Sequence, residues 1–182
     1  MTSRTVNMVI LCEDRQHEAF ARRFLRKAGI AARDLRVEIS PQGRGSAEQF
    51  VRDRYLKELR YYRSRSHRVQ QALLVIIDAD GREVAARIGQ VEEEAVATPD
   101  GGRRDDERVA ICVPARNIET WFAYLDGQDG NDEDNYPRLG RERDCQRHVD
   151  ALYQMCQAGT LRQPSPPSLA AACDEYRLRL QM

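Results

Sequence analysis

The sequence has 182 residues, the length of one domain with additional segments, so a sizeable core is expected and a second full domain is not. The 29 basic and 29 acidic residues balance, which excludes a net field able to hold nucleic acid or an acidic membrane by itself. No segment approaches the ~20 apolar residues of a membrane span, and the N-terminal apolar run is too short for a signal peptide. We therefore expect a soluble cytoplasmic protein without a membrane partner.

The cysteines give a second indication of compartment. None of them forms a C-x-x-C pair, so no zinc site is predicted. Their odd number and apolar neighbours favour reduced, mostly buried thiols in a cytoplasm. They are Cys12, Cys112, Cys145, Cys156 and Cys173.

The chain begins with a predicted strand that leads into a helix. Residues 6–12 form a continuous apolar run of strand length. In the following segment, HEAFARRFLRKAG, the apolar residues Phe20, Phe24 and Ala28 recur at four-residue spacing, which indicates an amphipathic helix. Gly29 is expected to end this helix.

Two further strand and helix units follow. Alternating Leu35, Val37 and Ile39 predict a second strand, and the turn PQGRGS leads into a long helix. Residues 73–77 predict a third strand, followed by another amphipathic helix. The apolar faces of the two helices are formed by Val51, Tyr55, Leu59 and Tyr62 and by Val84, Ile88, Val91 and Ala95.

A fourth strand, residues 109–113, precedes a helix that Asn117 is expected to cap. Its stripe, Ile118, Trp121, Phe122 and Leu125, is interpreted as core packing. Beyond Asp126 the composition changes to an acidic, glycine-rich loop and two helical patterns, the second with Ser168 as its expected N-cap. We therefore divide the chain into an α/β domain at 1–126 and, at 127–182, an acidic loop with C-terminal helices packed on the same domain.

Apolar strands that alternate with helices indicate a parallel sheet covered on both faces. The fold class predicted is a doubly wound α/β fold with a mainly parallel sheet of about four strands, flanked by helices and carrying a C-terminal helical appendage.

Polar residues follow each predicted strand directly, and in open parallel sheets these positions face the crevice in which ligands bind. They are Glu13 and Asp14, the PQGRGS loop, Asp78 and Asp80, and finally Arg116, Asn117 and Glu119. The D-x-D spacing lets two carboxylates face one cation, and Glu13 could complete an oxygen shell suited to magnesium. Clustered carboxylates repel one another unless they are protonated or neutralised.

Each acid also has an interpretation that needs no metal. DADG alone is explained more often as a turn or a helix cap. A first-turn carboxylate such as Glu119 interacts favourably with the helix dipole, which explains it about as well as a site role does. Asp14 is expected in a first helical turn, and His17 is expected at the surface or as a cap rather than as a base. The acids at 92–94 and 129–134 are expected to be solvated.

Two basic segments suggest phosphate contacts. Gly43 and Gly45 flank Arg44 just before a helix start at Ser46, so backbone N–H groups and a guanidinium could hold a phosphate, although an ordinary tight turn is the commoner explanation. The helix that follows is basic and interleaved with tyrosines, which suits a nucleic-acid backbone, and a solvated face explains it about as well. Its basic residues are Arg52, Arg54, Lys57, Arg60, Arg63, Arg65 and Arg68.

These motifs resemble the TOPRIM domain of OLD-family nucleases and of small bacterial proteins of phage defence. VILCEDRQHEAFARRFL resembles the family's first element at Glu13, and LLVIIDADG resembles its D-x-D element at Asp78 and Asp80. VPARNIETWFAYL is similar to a P-x-x-x-I-E-x-W stretch of small TOPRIM-like proteins and adds Glu119. The resemblance covers residues up to about 126, and Asp14 stands where the family usually has glycine.

The resemblance implies hydrolysis of DNA or RNA phosphodiesters with Mg²⁺ or Mn²⁺. Glu13, Asp78 and Asp80 would bind the metal and, with Glu119, form the catalytic set, while Arg44 and Arg116 are expected to bind phosphate. Since the sequence has no G-x-x-x-x-G-K-[ST] motif, ATP-driven control would come from a partner ATPase of the same operon. A homo-oligomer is compatible with the sequence. The alternative is a noncatalytic binding or regulatory subunit of a larger defence or repair complex.

Overall fold

The strands form a single sheet in the computed structural model, which describes residues 6–181. They are β1 (Asn7–Cys12), β2 (Leu35–Ile39), β3 (Gln71–Ile76) and β4 (Val109–Cys112), in the order β2-β1-β3-β4. All neighbouring pairs are parallel, and Ile10 is in register with Val37 on one side and Leu74 on the other. The predicted α/β fold with a parallel sheet is confirmed, and the carboxyl ends of the strands share one edge.

Helices cover both faces of the sheet. They are α1 (Arg15–Lys27), α2 (Ala47–Arg65), α3 (Val84–Val96), α4 (Glu119–Leu125), α5 (Gln146–Ala158) and α6 (Pro167–Glu175), which a π-helical turn at Tyr176–Leu180 extends. Short 3₁₀ turns lie at Ala32–Asp34 and Glu142–Cys145. Across residues 6–181, no helix combines the length and the apolar composition that crossing a bilayer requires.

Each strand supplies both cores because successive side chains point to opposite faces. Met8 and Ile10 of β1 pack with α1, α4, α5 and α6, whereas Val9 and Leu11 pack with α2 and α3. β1 and β3 are buried on both faces, which explains why their sequences are continuously apolar rather than alternating.

The C-terminal segment contributes to the first of these cores. Val149 and Leu152 of α5, Leu169 and Ala172 of α6, and Leu180 of the π-helical turn are buried in the same cluster as β1, α1 and α4. The described residues 127–181 therefore share a core with the sheet, and α6 also lies beside β4.

Three helix starts were predicted from capping residues, with different outcomes. Ser46 caps α2, since its Oγ accepts a hydrogen bond from the N–H of Gln49 at 3.4 Å. The cap predicted at Asn117 is wrong, because α4 begins only at Glu119 and Ile118 occupies the N-cap position. The cap predicted at Ser168 is also wrong. Pro166 holds the N-cap position and α6 starts two residues earlier, at Pro167, whose fixed φ suits the first helical position.

Candidate functional site at the carboxyl edge of the sheet

Hydrogen bonds join the ends of three neighbouring strands at this edge. The N–H of Asp78 donates to Oε1 of Glu13 at 2.5 Å, which links the end of β3 to the end of β1. On the other side, the N–H of Ala79 donates to the carbonyl of Pro114 at 2.8 Å. These bonds place Glu13, Asp78 and the segment after β4 next to one another, as their positions after parallel strands predict.

Glu13 carries an unusual protonation equilibrium. Burial, followed by the negative charge of Asp78, raises the pKa of its carboxyl to about 7, although the hydrogen bond from the Asp78 N–H opposes this shift. At neutral pH the carboxyl is therefore divided between its protonated and ionised forms. A cation beside it would favour the ionised form.

Asp78 has a basic partner, His17, which is fully buried. Its Nε2 lies 3.1 Å from Oδ1 of Asp78. Burial lowers the pKa of His17, but the charge of Asp78 and this hydrogen bond outweigh burial and raise the pKa to about 9. The imidazole is then protonated at neutral pH and forms an ion pair with Asp78. The expectation that His17 lies at the surface is wrong.

Asp14 explains the orientation of His17. Asp14 is the N-cap of α1 rather than a first-turn acid, because the backbone there is extended and its Oδ1 accepts from the N–H of His17 at 2.9 Å. This cap starts α1 directly after the strand and holds His17 in the first turn, from which its side chain reaches Asp78.

Asp80, the third predicted metal ligand, is exposed, whereas Asp78 is buried. Its backbone is left-handed, with φ of 53°, and its side chain is 60% exposed. Oδ2 is 3.5 Å from Nη2 of Arg87, whose guanidinium is buried and also pairs with Glu48. Burial and the charge of Asp78 raise the pKa of Asp80. Asp80 therefore faces solvent at the rim of the site.

Arg87 is a site residue that the sequence interpretation missed. It lies on α3 between Val84 and Val91 at the spacing of the apolar stripe, and an arginine on an inward-facing stripe is the signal that could have identified it.

Glu119 is buried at 4% exposure in the first turn of α4. Burial raises the pKa of its carboxyl, and the charges of Asp78 and Asp14 add to the shift, so Glu119 is electrostatically part of the same acidic group. Both earlier interpretations, a helix-dipole contact and a site role, fit this position.

The two predicted phosphate-binding arginines lie at different places. Arg116 is half-buried against the DADG turn, and its Nη1 lies 3.8 Å from where a Cβ on Gly81 would be. Together with Asp132 and Ser168 it lines a cavity of about 400 Å³. Arg44 is exposed on the loop after β2, between Gly43 and Gly45, whose φ values of 72° and 69° require glycine.

The chemistry of these donors fits magnesium, since carboxylate oxygens are its usual protein ligands and one or two of them often suffice beside water and substrate phosphate. The acidic side chains are, however, less closely grouped than the sequence predicted. In the described part of the chain, residues 6–181, no group of three or more His, Cys, Asp or Glu side chains is placed so that it could hold a metal ion. The shared site of Glu13, Asp78 and Asp80 is thus not assembled by the described side chains, and magnesium stays a prediction.

Comparisons with known proteins identify no relative. No family model matches the sequence, and neither a curated protein nor a solved structure matches the chain significantly. The resemblance to the TOPRIM domain stays an expectation that depends on the motifs themselves.

Proposed function

We propose that the chain is a magnesium-dependent phosphodiesterase acting on nucleic acid, a nuclease of the TOPRIM type. The proposal depends on one observation: two acidic residues that follow adjacent strands, Glu13 and Asp78, lie side by side at the ligand-binding edge of a parallel sheet, where the Glu13 carboxylate accepts a hydrogen bond from the Asp78 N–H. Burial and the charge of Asp78 raise the pKa of Glu13 to about 7. A divalent cation would stabilise both carboxylates in their ionised form.

In this proposal Glu13 and Asp78 would hold the cation, with the exposed Asp80 as a third carboxylate beside them. A bound magnesium ion supplies polarisation of the scissile phosphate and a lower pKa for its water. His17 fixes the orientation of the Asp78 carboxylate through the 3.1 Å contact. Glu119 is buried, and the charge of Asp78 helps to raise its pKa, so it would steer a proton or a second ion.

Basic residues near the edge and along α2 would bind the substrate backbone. Arg116 beside the DADG turn is close enough to neutralise a phosphate at the site, and the exposed Arg44 could reach a more distant one. On α2, Arg52, Arg54 and Arg63 pair with glutamates, whereas Lys57, Arg60 and Arg65 are exposed. These exposed residues are candidates for salt-dependent contacts with DNA or RNA.

The wider context comes from the resemblance alone. It supports a cytoplasmic role in anti-phage defence with a partner ATPase of the same operon. Mn²⁺ would replace Mg²⁺ at a carboxylate site of this kind.

A specific observation favours a second candidate, a noncatalytic binding or regulatory subunit. His17 and Arg87 already provide positive charge beside Asp78 and Asp80. Ion pairs of this kind can stabilise a fold without any added cation. In that case the edge of the sheet would be a binding surface rather than a reaction centre.

A cleavage assay separates the two candidates. The purified chain, alone and with the ATPase encoded beside it, is incubated with single- and double-stranded DNA and RNA in Mg²⁺, Mn²⁺ or EDTA. Glu13→Gln keeps an oxygen for the Asp78 N–H, and Asp78→Asn keeps one for His17, so both variants should fold. Glu94→Gln on the exposed side of α3 is the control.

We expect metal-dependent cleavage that falls about a hundredfold or more in both variants and is unchanged in the control. Magnesium should also raise the Tm of the wild type and not that of Asp78→Asn, since a ligand that binds only the folded state stabilises it. Cleavage that persists in both variants would remove the acidic pair from the reaction. A folded protein with no cleavage and no magnesium-dependent change in Tm would support the noncatalytic candidate.

A further inference from the structure

Two cysteines lie close together in a part of the fold that is separate from the acidic site. Cys156 lies in the last turns of α5 and Cys173 in α6, and their sulfur atoms are 3.7 Å apart. Both are half-buried, whereas Cys12, Cys112 and Cys145 are buried. The pair is therefore the part of the described chain where two thiols are both close together and reachable from solvent.

We propose that Cys156 and Cys173 form a reactive dithiol site that low-molecular-mass disulfides oxidise reversibly to an intramolecular disulfide. The inference is independent of the proposed nuclease activity. It goes beyond the expectation of reduced, mostly buried thiols, which agrees with five free cysteines of which three are buried.

Formation of this disulfide requires only a small change in the positions of the two sulfur atoms. A disulfide bond is about 2.05 Å long, so the sulfur atoms must approach by roughly 1.7 Å, which rotation about the Cα–Cβ bonds and small helix shifts can supply. Gly159 ends α5 in the left-handed conformation, and an irregular segment leads from there to α6. The α5 end that carries Cys156 is therefore joined to α6 by a connection that is not itself helical.

The two thiols have different roles in this reaction. The hydrogen bond from Cys173 and the nearby charge of Arg177 lower the pKa of Cys156, and the same hydrogen bond and burial raise the pKa of Cys173. Because the thiolate is the nucleophile and the Arg177 guanidinium beside the cavity favours a thiolate at Cys156, we assign the attack to Cys156 and the resolving step to Cys173.

A cavity of about 480 Å³ opens beside the pair and gives a reagent access to it. Arg177 and Gln163 line this cavity together with the two cysteines. The guanidinium and the amide can bind carboxylate and peptide groups, so the site fits a disulfide that carries them, as a glutathione-type peptide does.

The reaction balances without any further reagent. The Cys156 thiolate attacks one sulfur of the disulfide RSSR, the S–S bond breaks, and the released thiolate takes up a proton to form RSH. The Cys173 thiol then loses its proton and attacks the Cys156 sulfur, which displaces the second RSH. The dithiol loses two electrons and two protons, and RSSR is reduced to two RSH.

The test uses the full chain, reduced and then freed of reductant, with glutathione disulfide as the probe. Acid-quenched samples are analysed by mass spectrometry of the whole protein and of its unreduced peptides. We expect the wild type to lose two hydrogens, to carry no adduct and to show a cross-linked peptide pair containing Cys156 and Cys173. Closing this loop should raise the Tm by about 5–10 °C. Added thiol should reverse both changes.

Variants assign the order of events. Cys173→Ser should accumulate one glutathione adduct on Cys156, and Cys156→Ser should react about tenfold or more slowly. Cys145→Ala, which removes a buried thiol outside the pair, should form the cross-link as the wild type does. Stable adducts on both cysteines without a cross-link would overturn the proposal. So would a cross-link that forms no faster than in the urea-unfolded wild type, a comparison that needs no variant to fold.

Discussion

The protonation of Glu13 and His17 sets the charge of the acidic site at the scale of single residues. Both groups bind a proton more tightly in the folded chain, with pKa values of about 7 and about 9 against ordinary values of 4.5 and 6.5. The stabilisation of the folded state that this tighter proton binding gives is complete at low pH. It is lost as the pH rises from 4.5 to 7 for Glu13 and from 6.5 to 9 for His17.

Glu13→Gln should remove the first of these pH dependences. In metal-free buffer we expect the free energy of unfolding of the wild type to fall more steeply between about pH 4.5 and pH 7 than that of the variant. Above this range the variant should be more stable, by on the order of 1–3 kcal/mol, because it buries no carboxylate charge beside Asp78. Urea unfolding at a series of pH values measures the difference.

Glu94→Gln is the matched control for this pH series, since Glu94 is an exposed carboxylate on α3. Glu94→Gln keeps Glu13, so it should retain the steep fall in stability of the wild type between about pH 4.5 and pH 7. Parallel pH curves for the wild type and Glu13→Gln would contradict the raised pKa of Glu13.

Ser168 connects three elements by hydrogen bonds. Its Oγ accepts from Nε1 of Trp121 in α4 at 2.8 Å. The hydroxyl and the N–H of Ser168 both donate to Asp132 in the acidic loop, at 2.7 and 2.8 Å. Asp132 thus takes the place of a helix cap at the start of α6, so the expectation that the acids at 129–134 are solvated is wrong for Asp132.

Ser168→Ala should therefore destabilise the fold by about 1–3 kcal/mol, because the buried indole N–H of Trp121 loses its acceptor. Ser165→Ala, at a nearby serine whose hydroxyl has only a long contact with Gln163 at 3.4 Å, should cost less than about 0.5 kcal/mol. Urea unfolding followed by Trp121 fluorescence measures both. Equal costs for the two variants would show that the Trp121 bond contributes no stability.

The features of the site that were predictable from sequence are those encoded by neighbouring residues. Continuous apolar runs identify β1 and β3, and the polar residues after them place Glu13 and Asp78 at one edge. The partners of these acids were not predictable, since His17 and Asp78 are 61 positions apart and Ser168 and Asp132 are 36 apart. Local periodicity gives the face of an element, and the tertiary packing of two elements decides which polar groups meet.

For the whole molecule, the C-terminal helices complete the structure around the edge strand β4. Glu175 of α6 accepts a hydrogen bond from the N–H of Ile111 at 3.0 Å and pairs with Arg103. Arg108 donates to the carbonyl of Leu180 at 2.9 Å. Glu175 thus occupies the Ile111 N–H, and Arg103 occupies the carbonyl of Val109 at 3.1 Å, two backbone groups of β4 that would otherwise be free to pair with another chain. The segment after 126 therefore protects the sheet as well as covering one of its faces.

This shared core predicts that the sheet and the C-terminal helices unfold together. Leu169 of α6 is fully buried in the core that α6 shares with the sheet. Because Leu169→Ala leaves a cavity there, it should lower the free energy of unfolding by about 2–5 kcal/mol. Leu178→Ala, at a side chain that is 79% exposed, should change it by less than about 0.5 kcal/mol. Both Trp121 fluorescence and far-ultraviolet circular dichroism should report the same shifted midpoint in Leu169→Ala. Two separate transitions, with only the smaller one shifted, would instead make residues 127–182 an independent appendage.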